Sequence, residues 1–329
     1  MVGLMRPAPD GWPAAVGAVD YPASADDSLQ PMLLWAAQST QPRPLLVGLH
    51  TWSAGYEQSG GETVYARWCM ARDWHFIHPH FRGPNWTPDA CGSERAVQDI
   101  LDAVEYMQAQ YAVDAERIYL IGASGGGYAS LLMAGRAPDI WAGVSAWVPI
   151  NDLHRWWREC RGTRAYAEHI ESVVGGRPDD DEEAARQCVI RSACTYLAAA
   201  RDVPLDINAG VRDGHQGSVP FSHSLYAFNC VAALEDRLNE QQIEAFYAAQ
   251  MLPEGFVPAE ADALYGDKGP IFRATSGNAR VTIFDGAHEI VHAPALNWLA
   301  HQRRGRRAQW VLDDVHPLHT GEGESASGR

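Results

Sequence analysis

Short apolar runs rich in β-branched and aromatic residues alternate along the chain with longer stretches in which apolar positions recur every three or four residues. The first kind reads as buried strands and the second as helices. The strand candidates are PMLLWAA from Pro31, PLLVGLH from Pro44, WHFIHPHF from Trp74, RIYLIGA from Arg117, WAGVSAWV from Trp141, PLDINAG from Pro204 and RVTIFDG from Arg280. Between the third and fourth lies SERAVQDILDAVEYMQAQY, in which Ala96, Ile100, Val104 and Met107 fall on one helical face. Strands alternating with helices predict an α/β fold, with a mostly parallel central sheet and helices on both faces.

Two segments interrupt this rhythm, about 151–201 and about 239–278. Insertions of that size between strand and helix sit above the strand ends, so they are expected as cap-like walls over a pocket. The acidic run Asp179 to Glu183 reads as a solvated helix start. The chain shows no internal repeat, so residues 1–312 are expected to form a single domain. The end of the chain, with HTGEGESASGR, is expected to be a disordered tail over 313–329.

Composition narrows the function classes. Of 329 residues, 46% are hydrophobic and 12 are tryptophan, enough to fill a large core. Lys and Arg total 26 against 41 Asp and Glu, a net charge of −15, which opposes binding to a phosphate backbone, so no nucleic-acid partner is expected. The six cysteines form neither CxxC pairs nor a regular disulfide framework, which argues against a zinc ribbon and leaves pairing open. The N-terminus has no signal-peptide core and no stretch of 18 apolar residues occurs, so no membrane partner is expected. A cytoplasmic location is expected, or a secreted one if a leader has been removed. The sequence is compatible with a homo-oligomer and does not specify its state.

The chemistry concentrates at IGASGGGYAS. Gly122, Ser124 and Gly126 form GxSxG between a strand and a helix, where a nucleophilic serine occupies a tight turn whose neighbours must lack side chains. A phosphate loop would need Lys and Ser or Thr at the helix start, and Tyr128 and Ala129 stand there; GxGxxG is broken at Ser130. A plain glycine turn is the remaining alternative.

A serine nucleophile needs a base and an acid, following it in the order Ser, Asp or Glu, His. Asp213 lies just beyond the strand PLDINAG and His288 just beyond the last strand, so the order fits. Asp206 is a weaker acid candidate because it lies inside its strand, and His215 is too near Asp213 to oppose it. HEIVH, His288 to His292, is a rival zinc-protease match, but that motif needs an intact helix, and the strand before it and Pro294 after it leave little room for one. In HFIHPHF, His78 and His80 share a strand face while His75 points away, so these read as structural. No metal or cofactor is expected. The oxyanion donors should be the N–H groups of Gly125 and, from the loop after His50, Trp52.

Together these segments resemble the α/β-hydrolase fold, and within it the catalytic domain of the prolyl oligopeptidase (S9) group and its esterase relatives. The similarity covers about residues 15 to 305. HPHFRGPN before the helix is similar to that group's arginine-glycine loop, VDAERIYLIGASGGGY to its approach to the nucleophile, RSACTYLAAARDVPLDINAG to the segment leading to the acid, and GAHEI to the segment holding the base. The chain departs from the pattern in three places. Gly125 stands where the peptidases often carry a bulky residue, which suggests free space beside the serine. His50, Thr51 and Trp52 replace His-Gly-Gly. The acid loop is stretched, with 75 residues from Asp213 to His288.

The resemblance implies an acyl-enzyme mechanism on Ser124, His288 and Asp213. The walls of the pocket should come from the loop His50 to Tyr56, from FRGPNW and from both insertions. His50, Arg82 and Trp86 are the candidate substrate contacts, the last two for a carboxylate or a sugar ring, with a loop-anchoring ion pair and a packed ring as their structural alternatives. About 40 residues precede PLLVGLH, too few for a propeller of four or more blades at about 40 residues each. An alkoxide also leaves more readily than an amine. The sequence therefore favours a carboxylesterase acting on a small-molecule ester, such as an acylated carbohydrate. The alternatives are an S9-like peptidase or amidase, a non-catalytic binding relative and an HExxH zinc hydrolase.

Overall fold

The computed structural model describes residues 5–318. The N-terminal part runs through β1 (Arg6–Pro7), β2 (Gly17–Ala23), β3 (Ser28–Trp35), β4 (Arg43–Leu49), α1 (Glu62–Arg72), β5 (His75–Pro79) and α2 (Glu94–Gln110). Its centre is β6 (Val113–Ala123), α3 (Gly125–Arg136) and β7 (Gly143–Trp147), followed by α4 (Leu153–Cys160), α5 (Tyr166–Val174) and α6 (Glu182–Arg191). The remainder is β8 (Leu205–Gly210), α7 (Ser222–Val231), α8 (Glu240–Ala249), β9 (Pro270–Ser276), β10 (Ala279–Phe284) and α9 (His292–Ala300).

Among the described residues the strands form one ten-stranded sheet in the order β1-β2-β3-β5-β4-β6-β7-β8-β10-β9. The pairs β5–β4, β4–β6, β6–β7, β7–β8 and β8–β10 are parallel, and antiparallel strands flank them on both sides. The central strands are mostly apolar and buried where both faces are covered, as in Ile118–Gly122 of β6, whereas β6 opens on the polar and partly exposed stretch Asp114–Arg117. The helix expected from its spacing is α2: Ser93 caps it by accepting from Ala96 N, and Ala96, Ile100, Val104 and Met107 are all buried. The acidic run opens α6, where Asp181 accepts from the N–H groups of Glu183 and Ala184.

Three strands escape a search for apolar runs: β1 is only two residues long, and β2 and β9 lie at or near the sheet edges and are interrupted by residues that break such a run. Asp20 and Pro22 interrupt β2, while Arg273 and Thr275 interrupt β9. The segment 239–278 is therefore not wholly an insertion. Its end turns through Gly277, at φ +57°, into a hairpin that adds β9 to β10. The first residues assigned to the expected tail, 313–318, are instead held against the domain. His316 N–H donates to Asn297 Oδ1 at 2.7 Å, and Asn297 Nδ2 donates to the His316 carbonyl at 3.0 Å, which docks 313–318 on α9. Residues 319–329 lie outside the described residues. No described helix is long and apolar enough to cross a membrane. All six cysteines are free thiols.

Candidate active site

The order of the parallel strands decides where a site can form. After β4 the chain crosses by α1 to β5 on one side, and after β6 it crosses by α3 to β7 on the other. The crevice between the C-terminal ends of β4 and β6 is therefore a topological switch point. Leu49 is in register with Gly122, so the loops after these two strands leave side by side. Two strands away, Gly210 of β8 is in register with Phe284 of β10, and the loops carrying Asp213 and His288 also start as neighbours.

Ser124 stands at the elbow from β6 to α3 with φ 57° and ψ −119°, a conformation that costs a non-glycine residue on the order of 1–3 kcal/mol. Its surroundings enforce the turn. A Cβ on Gly122 would lie 2.4 Å from the Gly126 backbone, and one on Gly126 would lie 2.3 Å from the Leu49 carbonyl oxygen. Ser124 N–H donates to Trp147 O of β7 at 2.9 Å, which fixes the elbow to the sheet.

Asp213 is fully buried. Its Oδ1 accepts from Gly214 N–H at 2.9 Å and Val219 N–H at 3.2 Å, and its Oδ2 lies 2.8 Å from His288 Nδ1. The three contacts hold one carboxylate edge toward the imidazole, and a neutral His288 that donates from Nδ1 keeps its Nε2 lone pair for a proton. Gly217 is required here, because a Cβ on it would meet Asp213 Oδ1 at 2.2 Å and His288 Cβ at 2.5 Å. The competing residues are placed elsewhere. Asp206 pairs with Arg280 at 3.0 Å, and His215 Nε2 lies 2.9 Å from the Tyr247 carbonyl.

The backbones of the two expected oxyanion donors lie against each other. Gly125 is the first residue of α3, so its N–H has no partner within the helix and lies at the positive end of the helix dipole. A Cβ on Gly125 would lie 2.4 Å from Trp52 N and 2.5 Å from Trp52 Cα. The space expected beside the serine is therefore filled: a side chain is excluded at 125 because the Trp52 backbone occupies its place. The loop is pinned on either side of Trp52. Gln58 Oε1 accepts from Thr51 N–H at 2.9 Å and Thr51 Oγ1 at 3.1 Å, while the Trp52 carbonyl accepts from Asn85 N–H at 2.9 Å. Gln58 thus positions the loop, a role nothing in its sequence neighbourhood announced.

Ser124 and His288 line one cavity of about 400 Å³, shared with Trp52, Gln58, Tyr166 of α5 and Ser218. The insertion 151–201 supplies a wall through Tyr166, as expected, whereas no residue of 239–278 reaches this cavity. Glu62, the first residue of α1, also lines it and escaped sequence reasoning, because an acidic residue opening a helix reads as solvated. It is only 4% exposed, and its Oε2 has no hydrogen-bond partner. Burial pushes the carboxyl up to about 7, against the opposing effect of the backbone amides of Glu62 and Gly60.

That shift carries a stability prediction. Below pH 4.5 Glu62 is protonated in both folded and unfolded chains and contributes nothing; between 4.5 and 7 only the unfolded chain ionises, so stability falls as pH rises. Above 7 the full penalty applies, roughly 3 kcal/mol for a shift of this size. Glu62→Gln should therefore raise the thermal midpoint more at pH 8 than at pH 4, as thermal melts of both proteins would reveal.

Three expected substrate contacts are corrected. The Arg82 guanidinium is saturated by two carboxylates: Nε lies 2.6 Å and Nη2 3.1 Å from Asp99, and Nη1 lies 2.7 Å and Nη2 3.0 Å from Asp26. It anchors its loop to α2 and has no fork left for a substrate. His50 is fully buried, stacks on Phe81 at 3.9 Å between centroids, and lies within 2.9 Å of the Thr51 and His80 carbonyls; burial lowers it to about 4. The Trp86 ring packs against His169 at 5.0 Å and does not line the cavity.

The zinc motif is likewise not built. Residues 285–291 are non-helical, so His288 and His292 share no helix face, and His292 Nε2 lies 3.1 Å from the Gly61 carbonyl. His75 Nδ1 accepts from Ala37 N–H, while His78 Nδ1 lies 2.9 Å from the Tyr56 carbonyl, which are structural placements.

A doubly wound sheet with a serine elbow at its switch point, and an acid and a histidine after the later strands, defines an α/β-hydrolase fold. The sequence profile of the prolyl oligopeptidase family matches residues 75–247, more than half of the chain, and the protein belongs to that family. The match includes Ser124 and Asp213 and ends before His288. No curated protein sequence matches the chain.

Similar solved structures include an acylaminoacyl peptidase in complex with Z-Gly-Gly-Phe-chloromethyl ketone, at 17% identity and TM-score 0.52, covering 65% of this chain and 34% of that one. Uncomplexed Pyrococcus horikoshii acylaminoacyl peptidase is 15% identical at TM-score 0.51, over 70% and 35%. Oligopeptidase B from Leishmania major is 14% identical at TM-score 0.51, over 68% and 31%. The chain spans about a third of the length of these proteins, and at such identities the likeness is one of fold.

Proposed function

We propose that the protein is a serine hydrolase that cleaves short peptides and related amides through an acyl-enzyme on Ser124. The observation that carries this reading is the meeting, at one cavity, of Ser124, the Asp213–His288 pair at 2.8 Å, and the backbone N–H groups of Gly125 and Trp52. His288 Nε2 takes the Ser124 proton as Oγ attacks the carbonyl carbon, Asp213 stabilises the imidazolium, and the two N–H groups receive the oxyanion. His288 then gives the proton to the leaving nitrogen as the C–N bond breaks. Water, deprotonated by His288 Nε2, attacks the acyl carbon; the bond to Ser124 Oγ breaks as Nε2 returns the proton to it, and the acid leaves.

Family membership and the peptidase names of the similar structures favour amide over ester substrates, reversing the order the sequence alone favoured. Two measurements test the reading. A fluorophosphonate probe should label Ser124 in the folded protein, and Ala-Pro or Gly-Pro p-nitroanilide should be turned over alongside p-nitrophenyl acetate. Absence of labelling overturns the hydrolase reading. Labelling with ester turnover and no anilide turnover moves the substrate class to carboxylic esters.

A further inference from the structure

Beyond the triad, one residue of the cavity is unexplained by catalysis. Glu62 is 4% exposed, lines the space that holds Ser124 and His288, and keeps Oε2 without a hydrogen-bond partner. A buried carboxylate without a cation is expensive once it ionises, so a cation brought into the cavity from elsewhere would be held beside it.

No such group comes from the described residues. None of their lysines or arginines lines the cavity, and its second carboxylate, Glu289, is already paired with Lys268. The adjacent His292 is buried, its Nε2 lies against the Gly61 carbonyl, and burial holds it at about 4, so it stays neutral. The Arg82 fork, which might have made the cavity receptive to anions, is consumed by Asp26 and Asp99 outside it. The cavity is thus acidic, and its volume of about 400 Å³ suits a group the size of one or two amino acids.

Resting on the serine-hydrolase reading, we propose that Glu62 is a specificity residue that binds a cationic nitrogen of the substrate's acyl portion, either a free α-ammonium or a basic side chain. The incoming cation supplies the missing partner of Oε2, and the charge-assisted contact inside a shielded cavity selects cationic over neutral acyl groups. Glu62 holds the substrate and takes no part in the proton transfers.

The test uses ethyl esters, which peptidases and esterases of this mechanism both cleave, followed by acid release at about pH 7.4 with the full chain, where most α-amino groups are protonated and the Glu62 carboxyl is mostly ionised. Alanine ethyl ester carries an α-ammonium, N-acetylarginine ethyl ester a side-chain cation, and N-acetylalanine ethyl ester neither. The expected result is a kcat/KM at least ten times higher for one or both cationic esters than for the neutral one, and whichever is preferred identifies the source of the cation. Glu62→Gln should reduce that preference tenfold or more, chiefly through KM. Equal use of all three esters, or a preference that survives Glu62→Gln, overturns the assignment.

A measurement without any variant checks the same point. n-Butylammonium should protect Ser124 from phosphonylation at concentrations where n-butanol does not, and equal protection by both would also overturn it. If Ser124 fails to label at all, the hydrolase reading is what falls; if it labels and the cation preference is absent, only the role of Glu62 falls.

Discussion

Ser124→Ala and His288→Ala are each expected to lower turnover by about a million-fold while leaving the protein folded. The two act as one unit: the hydroxyl is a weak nucleophile until the imidazole accepts its proton, so losing either loses nearly the whole acceleration. Asp213→Asn should cost about ten-thousand-fold, because the carboxamide can present its NH₂ to Nδ1 and hold the ring in the wrong tautomer. Folding should survive in the serine variant because Ser124 is fixed through its backbone N–H to Trp147, not through its hydroxyl. Single-turnover acylation, active-site titration with a fluorophosphonate and thermal melts together separate lost chemistry from lost structure. A Ser124→Ala protein with wild-type turnover would remove the nucleophile assignment.

How far the sequence alone reaches can be followed along the cavity wall. The elbow is legible because its demands are local: a strand end followed by four glycines and a serine within six residues, each glycine excluded from carrying a Cβ by neighbouring backbone. Asp213 and His288 are legible by position, since a parallel sheet brings the ends of its strands to one edge. Arg82 was misplaced because its loop lies near the site in sequence order, while the partners that consume it come from a turn and a helix on either side, Asp26 and Asp99. Nothing in a linear pattern announces an ion pair across 56 residues. Glu62 and Gln58 were missed for the complementary reason. Their roles depend on which way α1 and its preceding loop face, and the letters YEQSGGETVY read equally well as an exposed connection.

The same limit governs Gly125, and it makes Gly125→Ala the second large effect. On helix propensity alone alanine should be favoured by about 1 kcal/mol at such a position. The contacts decide otherwise: the new Cβ would stand 2.4 Å from Trp52 N, 2.5 Å from Trp52 Cα and 2.9 Å from the Thr51 carbonyl carbon. All three are backbone atoms, so no rotamer relieves the overlap. The 51–52 loop cannot simply slide, because Gln58 holds Thr51 and Asn85 holds the Trp52 carbonyl. Accommodation must therefore separate the two N–H groups proposed to receive the oxyanion. Loss of one such donor lowers kcat by roughly a hundred- to a thousand-fold, so that range is expected, with KM changed far less and with Ser124 still phosphonylated, but slowly. The overpacking itself should lower stability by about 1–3 kcal/mol, outweighing the propensity gain. Steady-state kinetics and a thermal melt of the one variant read both effects. An unchanged kcat would mean that the second donor is not the Trp52 N–H, because no arrangement that keeps this donor in place leaves room for a methyl group at 125.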